Sequence, residues 1–285
     1  MIEIDFLDEL DRFHRALKKN SAEIRQGEQK SDYSGQGMIF KDHKEYVPGD
    51  DIRKMDWKAY ARTGEYFIKR FQEEKNVTVH VVVDRSSSMD YGEVNKYEYA
   101  AKLGLALAYM ANKTNDRFRY SVFSETLTDL TSARRHGNLT QLVETLNELR
   151  KTPESQVAEC LTEYSSRIKN KSVVVILSDF LVDVKKVEDA VKNLQECDVL
   201  LVNTLSQQEI SPEMEGDKIL EDPESSSSIR TYLSKKVKNR YKDRLTQHTR
   251  KLEETAAKNN AKYTRISTGE EFFQSFFQVW QEINR

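Results

Sequence analysis

Asp84, Ser86 and Ser88 stand on alternate residues directly after a run of valines, in the stretch VTVHVVVDRSSSMD at residues 77–90. A carboxylate and two hydroxyls at that spacing can converge on one point. All three are hard oxygen ligands, the kind that suits Mg²⁺, Mn²⁺ or Ca²⁺. A second valine-rich run, residues 172–177, also ends in an acid, Ser178-Asp179, and Thr140 lies between the two in the segment Gly137-Asn138-Leu139-Thr140. Two strand-like runs that each end in Asp, with a threonine between them, make a constellation rather than a lone motif. The plainer reading is that the serines are turn residues and caps in a polar loop.

These groups need elements to position them. Val77, Val79, Val81, Val82 and Val83 form a β-branched run, apolar on both faces near its end, as in a strand buried inside a parallel sheet. Its polar end then falls at the carboxyl edge, where open α/β sheets bind ligands. Downstream the pattern alternates. Helices are expected at 95–112, 139–150, 155–169, 184–196, 235–260 and 270–283. Strands are expected at 117–123, 126–130, 172–179, 198–205 and 261–266. This alternation predicts an α/β fold built on a doubly wound, mostly parallel sheet. Gly104, inside an Ala- and Leu-rich helix, signals a close backbone approach.

Upstream, residues 4–19 carry apolar groups at helical spacing. A loop over 20–37, strands near 37–47 and 65–73, a turn at Pro48-Gly49, and a helix over 52–60 capped by Asp50 or Asp51 follow. Residues 1–75 therefore read as an N-terminal helix and small β extension packed on a main domain of residues 76–285. Within that domain, an acidic insertion near 207–228 is expected as a hairpin or mobile loop, its charge partly offsetting the basic first half of the helix after it.

Asp84-x-Ser86-x-Ser88, a later Thr and a later strand-end Asp resemble the metal-ion-dependent adhesion site of von Willebrand factor A domains. The block Tyr46-Val47-Pro48-Gly49-Asp50-Asp51-Ile52-Arg53-Lys54-Met55-Asp56-Trp57, with Ala61-Arg62 and Lys69-Arg70-Phe71, narrows the match. It resembles the bacterial domain-of-unknown-function family 58, whose members are similar to von Willebrand factor A domains and are typically encoded beside MoxR-type AAA+ ATPases. The resemblance implies a metal site in which Ser86 and Ser88 bind the ion directly, Asp84 and Asp179 hold it mostly through water, and Thr140 joins in the partner-bound state. In this chain Asn138 and Leu139 separate Thr140 from Gly137, and Thr131 or Ser132 are alternatives for its place. The open metal position would take an Asp or Glu from a protein partner, a MoxR-type AAA+ ATPase or its client. The implied role is a non-enzymatic adaptor in chaperone-like maturation or assembly. Without metal, two converging carboxylates repel, so Asp179→Ala is expected to leave the fold intact or slightly stabilise it.

Composition narrows the classes. The 285 residues carry 32% charged side chains and a formal charge of −2, which gives no global nucleic-acid signal. The two cysteines, Cys160 and Cys197, lack any paired or metal-ligand spacing and read as reduced residues of a cytoplasmic protein. The N-terminus has no apolar core of a signal peptide, and no run approaches the roughly 18 apolar residues of a membrane span. A haloacid-dehalogenase-type phosphatase is the competing enzyme, but it needs a second Asp two residues after the first, where this chain has Ser86. Neither a Gly-x-Ser-x-Gly elbow nor a Walker A loop occurs.

Overall fold

The computed structural model describes residues 2–24, 38–51, 54–73, 77–131, 138–149, 156–168, 172–214, 216–221 and 228–284. The chain forms two compact units, residues 16–76 and residues 1–15 with 77–285. The first turns of helix α1 (Phe6–Ile24) thus belong with the larger unit rather than with the extension. The reason is aromatic: Phe6 meets Phe272 edge-on at 5.1 Å, and Phe13 stacks on Phe273 at 5.0 Å.

In the smaller unit, β1 (Met38–Glu45) pairs antiparallel with β2 (Phe67–Glu73). Helix α2 covers Trp57–Thr63, with Asp56 as its N-cap accepting from the Lys58 and Ala59 N–H groups, and residues 52–53 of the helix expected at 52–60 lie outside the described residues. Asp50 instead closes a turn, accepting from the Val47 N–H and from Lys44. Asp56 also pairs with His43 at 2.8 Å and Lys69 at 3.7 Å. Arg53, three residues before Asp56, lies outside the described residues.

In the larger unit the strands are β3 (Thr78–Asp84), β4 (Arg117–Phe123), β5 (Leu127–Asp129), β6 (Val173–Ser178), β7 (Asp198–Leu205) and β10 (Lys262–Ser267). They form one sheet in the order β10-β7-β6-β3-β4-β5, parallel except for the β4–β5 edge. The alternation of β3 explains its unbroken apolar run. Val81 meets α3 (Lys96–Lys113) on one face, while His80 and Val82 meet the core built on α5 (Val157–Arg167) and α6 (Val184–Lys192) on the other. Helix α8 (Lys235–Lys258) completes that second layer, and α4 (Leu139–Glu148) and α9 (Phe272–Asn284) complete the first. The insertion is a short helix α7 (Gln207–Ile210) and a hairpin of β8 (Gly216–Glu221) and β9 (Ser228–Leu233). Its Asp217 pairs with Arg230 across the hairpin rather than with α8. Glu215 and residues 222–227 lie outside the described set.

Gly104 is the close approach that its place in the sequence implies. A Cβ there would stand 2.7 Å from Val81 Cγ1 and 2.8 Å from the Tyr120 hydroxyl, which itself donates to the Ala101 carbonyl at 3.0 Å. Overpacking of this kind costs about 1–3 kcal/mol, and alanine returns about 1 kcal/mol of helix propensity. Gly104→Ala is therefore expected to lower stability by up to about 2 kcal/mol in urea unfolding; a stabilised variant would show that α3 can back away from the sheet.

Candidate functional site at the carboxyl edge of the sheet

The strand order reverses at β3. Its sequence neighbour β4 lies on one side and β6 on the other. A crevice opens where the connections leave in opposite directions, and open α/β sheets bind ligands there. Asp84 ends β3, and Asp179 directly follows Ser178, the last residue of β6, so both expected acids arrive at the switch point.

Asp84 is buried and fully engaged. One oxygen accepts the Ser86 N–H at 2.9 Å, and the other accepts the Ser178 hydroxyl at 2.7 Å. The Ser86 and Ser88 hydroxyls lie 3.1 Å apart and bond to each other. Burial, and then the charge of Asp179, push Asp84 up to about 6. Two carboxylates therefore do converge here.

Asp179 is buried with a cation already on it. One oxygen accepts the Leu181 N–H at 3.1 Å, and the other accepts the Lys96 ammonium at 2.8 Å. The same ammonium donates to Glu209 at 2.6 Å. Glu209 is fixed in turn by a capping box: its second oxygen accepts the Ser206 N–H at 2.8 Å, while the Ser206 hydroxyl accepts the Glu209 N–H at 3.1 Å. Burial works against the Lys96 charge, but Asp179 and Glu209 outweigh it and hold Lys96 above its ordinary range. Next to Asp179, Phe180 takes a φ of 48°, a left-handed backbone that bulky residues rarely adopt. Its N–H bonds to the Ser178 hydroxyl and its carbonyl to His248 Nε2, which hold the turn in place.

Thr140 is exposed in the first turn of α4, just after the Asn138 cap. Among the described contacts, none joins it to the Asp84 cluster. The Thr131 hydroxyl accepts the Tyr120 N–H at 2.7 Å, three residues short of the end of β4, and Ser132 lies outside the described residues. The cluster thus gathers Asp84, Ser86, Ser88, Ser178 and Asp179, and adds Lys96 and Glu209. Lys96 did carry a signal in the sequence. It opens an Ala- and Leu-rich helix, where the macrodipole disfavours a cation, so another force must place it there.

Above the cluster the loops carry exposed apolar side chains. Tyr91 and Val94 follow β3, Leu181 follows β6, and Met214 follows β7. Tyr91, Val94, Met214, Pro212, Gln207 and Thr268 line one cleft of about 680 Å³.

A mostly parallel sheet in this order, helices on both faces and a polar cluster at the switch point define a von Willebrand factor A-like fold. The family model described as "Protein of unknown function DUF58" matches residues 42–251, and the chain belongs to that family. The uncharacterized protein Rv1480 of Mycobacterium tuberculosis is 23% identical over 186 residues, covering 63% of this chain and 59% of that one. The match therefore spans less than two thirds of that relative. Among solved structures, an aerotolerance-related membrane protein from Bacteroides fragilis is similar at 14% identity and a TM-score of 0.46, covering 73% of this chain and 98% of that one. The SpRpn10 VWA domain is similar at 10% identity and a TM-score of 0.43, covering 71% and 94%. Among the described residues, no helix is long and apolar enough to cross a membrane.

Proposed function

We propose that the protein is a non-catalytic, cytoplasmic adaptor whose carboxyl-edge face docks a MoxR-type AAA+ ATPase during maturation or assembly of other proteins. The observation that carries this reading is the group of exposed apolar side chains, Tyr91, Val94 and Met214, converging on one cleft over an inert cluster. Apolar groups gathered at a concave surface favour macromolecular contact. The family resemblance is what favours a MoxR-type ATPase as the partner. The free, buried thiols of Cys160 and Cys197 agree with a reducing compartment.

The chemistry below the cleft supports the non-catalytic reading. Asp84 has both oxygens in hydrogen bonds and Asp179 faces an ammonium, so neither is placed as a nucleophile with a free acid beside it. Burial raises the Cys160 thiol to about 11, far from a reactive thiolate at neutral pH. Nothing supports the phosphatase alternative.

Magnesium is the finer part of the sequence reading. Its donors would be the hydroxyls of Ser86 and Ser88, backed by Asp84 and Asp179. As arranged, these groups do not fit a divalent ion, because Lys96 already neutralises Asp179 and the two hydroxyls bond to each other. A partner offering an Asp or Glu to a metal loses its motive with that, and the docking reading rests on the apolar cleft.

Titration calorimetry with the purified MoxR-type ATPase of the same organism tests the proposal. Val94→Asp and Met214→Asp are expected to weaken binding about tenfold or more, a loss of about 1.4 kcal/mol or more, without changing the melting temperature. Absence of a complex, or a complex indifferent to both changes, would refute it. Hydrolysis of a generic phosphate ester, abolished by Asp84→Asn, would revive the enzyme.

A further inference from the structure

We propose that the Lys96 ammonium is the resident cation of this edge, so that the site is neutralised from within the chain and takes no divalent metal. A lysine is almost never fully buried unless it is paired, and Lys96 is 0% exposed with two carboxylates within hydrogen-bond distance. Its place in the first turn of α3 sets it against the helix macrodipole, so the two acids are what hold it there.

Both acceptors are held by hydrogen bonds other than those to the ammonium. Asp179 is anchored by the Leu181 N–H, and Glu209 by the capping box of α7. One charge therefore ties three elements together: the start of α3, the end of β6 and the helix that follows β7. A divalent ion added to Asp84, Ser86, Ser88 and Asp179 would share Asp179 with a positive charge already 2.8 Å from it, and like charges at such range repel strongly in a buried setting. It would also have to break the hydroxyl pair of Ser86 and Ser88. Docking on this face is then resistant to chelators.

The test needs no partner, so it stands or falls separately from the adaptor reading. Wild-type protein is melted in EDTA and in millimolar Mg²⁺, and Mn²⁺ uptake is followed by electron paramagnetic resonance. The expected result is one melting temperature in both conditions and no stoichiometric Mn²⁺. Lys96→Met should melt lower in EDTA, regain stability with Mg²⁺ and bind one Mn²⁺, and adding Ser86→Ala should erase that gain. If Lys96→Met does not fold, Lys96→Arg, which keeps the charge, should fold and remain indifferent to metal. Stoichiometric Mn²⁺ on the wild type that Ser86→Ala removes would overturn the proposal. So would a Lys96→Met protein as stable as the wild type in EDTA, or a Lys96→Arg protein that gains a metal.

Discussion

Asp179→Ala is expected to destabilise the protein by about 3–5 kcal/mol, the usual result of removing one partner from a buried ion pair. The carboxylate accepts from the Lys96 ammonium at 2.8 Å and from the Leu181 N–H at 3.1 Å, and both bonds are lost together. Glu209 keeps a hold on Lys96, which places the effect toward the lower end of that range. Relief of repulsion with Asp84 acts in the opposite sense, since the Asp179 charge helps to raise Asp84. The loss of one of its two carboxylates outweighs it, because the Lys96 ammonium is fully buried and is left with Glu209 alone. Asp179→Asn retains an acceptor and is expected to cost less. Chemical denaturation of both variants gives the numbers, and a cycle with Lys96→Met isolates the coupling, about 0.5–3 kcal/mol for residues in contact. A neutral or stabilising Asp179→Ala would mean that the ammonium is not held by Asp179.

That sign is the reverse of the one the sequence implies, and the reason is instructive. Asp84 and Asp179 are legible because each ends a valine-rich run, and a buried strand announces itself by composition. Their convergence follows from sheet topology alone. Lys96 is not legible in the same way. It is separated from Asp179 by 83 positions and from Glu209 by 113, and nothing local marks it as a partner of either. The same division holds elsewhere. Strands β4 and β7 begin and end where their patterns place them, at 117–123 and 198–205, whereas the cap of α2 shifted from Asp50 or Asp51 to Asp56. Several acids in one short segment all satisfy a capping rule, and the choice among them is made by tertiary partners such as His43 and Lys69.

The second large effect is acid sensitivity through His80. Its ring is buried on β3 and its Nδ1 pairs with the Tyr164 hydroxyl at 2.8 Å. Burial, and then the Arg119 charge, lower its pKa to about 4, while Asp129 acts in the opposite direction. An unfolded chain protonates a histidine near pH 6.5. Between about pH 6.5 and 4 the unfolded state therefore binds a proton that the folded state refuses, so stability rises with pH across this window and is lost as pH falls. A difference of about 2.5 pH units corresponds to about 3 kcal/mol. Asp84 works oppositely over part of the same range, because its raised pKa lets the folded state take up a proton first. The comparison that isolates His80 is thus wild type against His80→Asn, melted at intervals from pH 7 to 4. The variant should start less stable and lose less as pH falls, so that the two curves converge toward pH 4. Parallel curves would show that His80 takes up its proton equally in the folded and unfolded states, and that the acid response of the fold arises elsewhere.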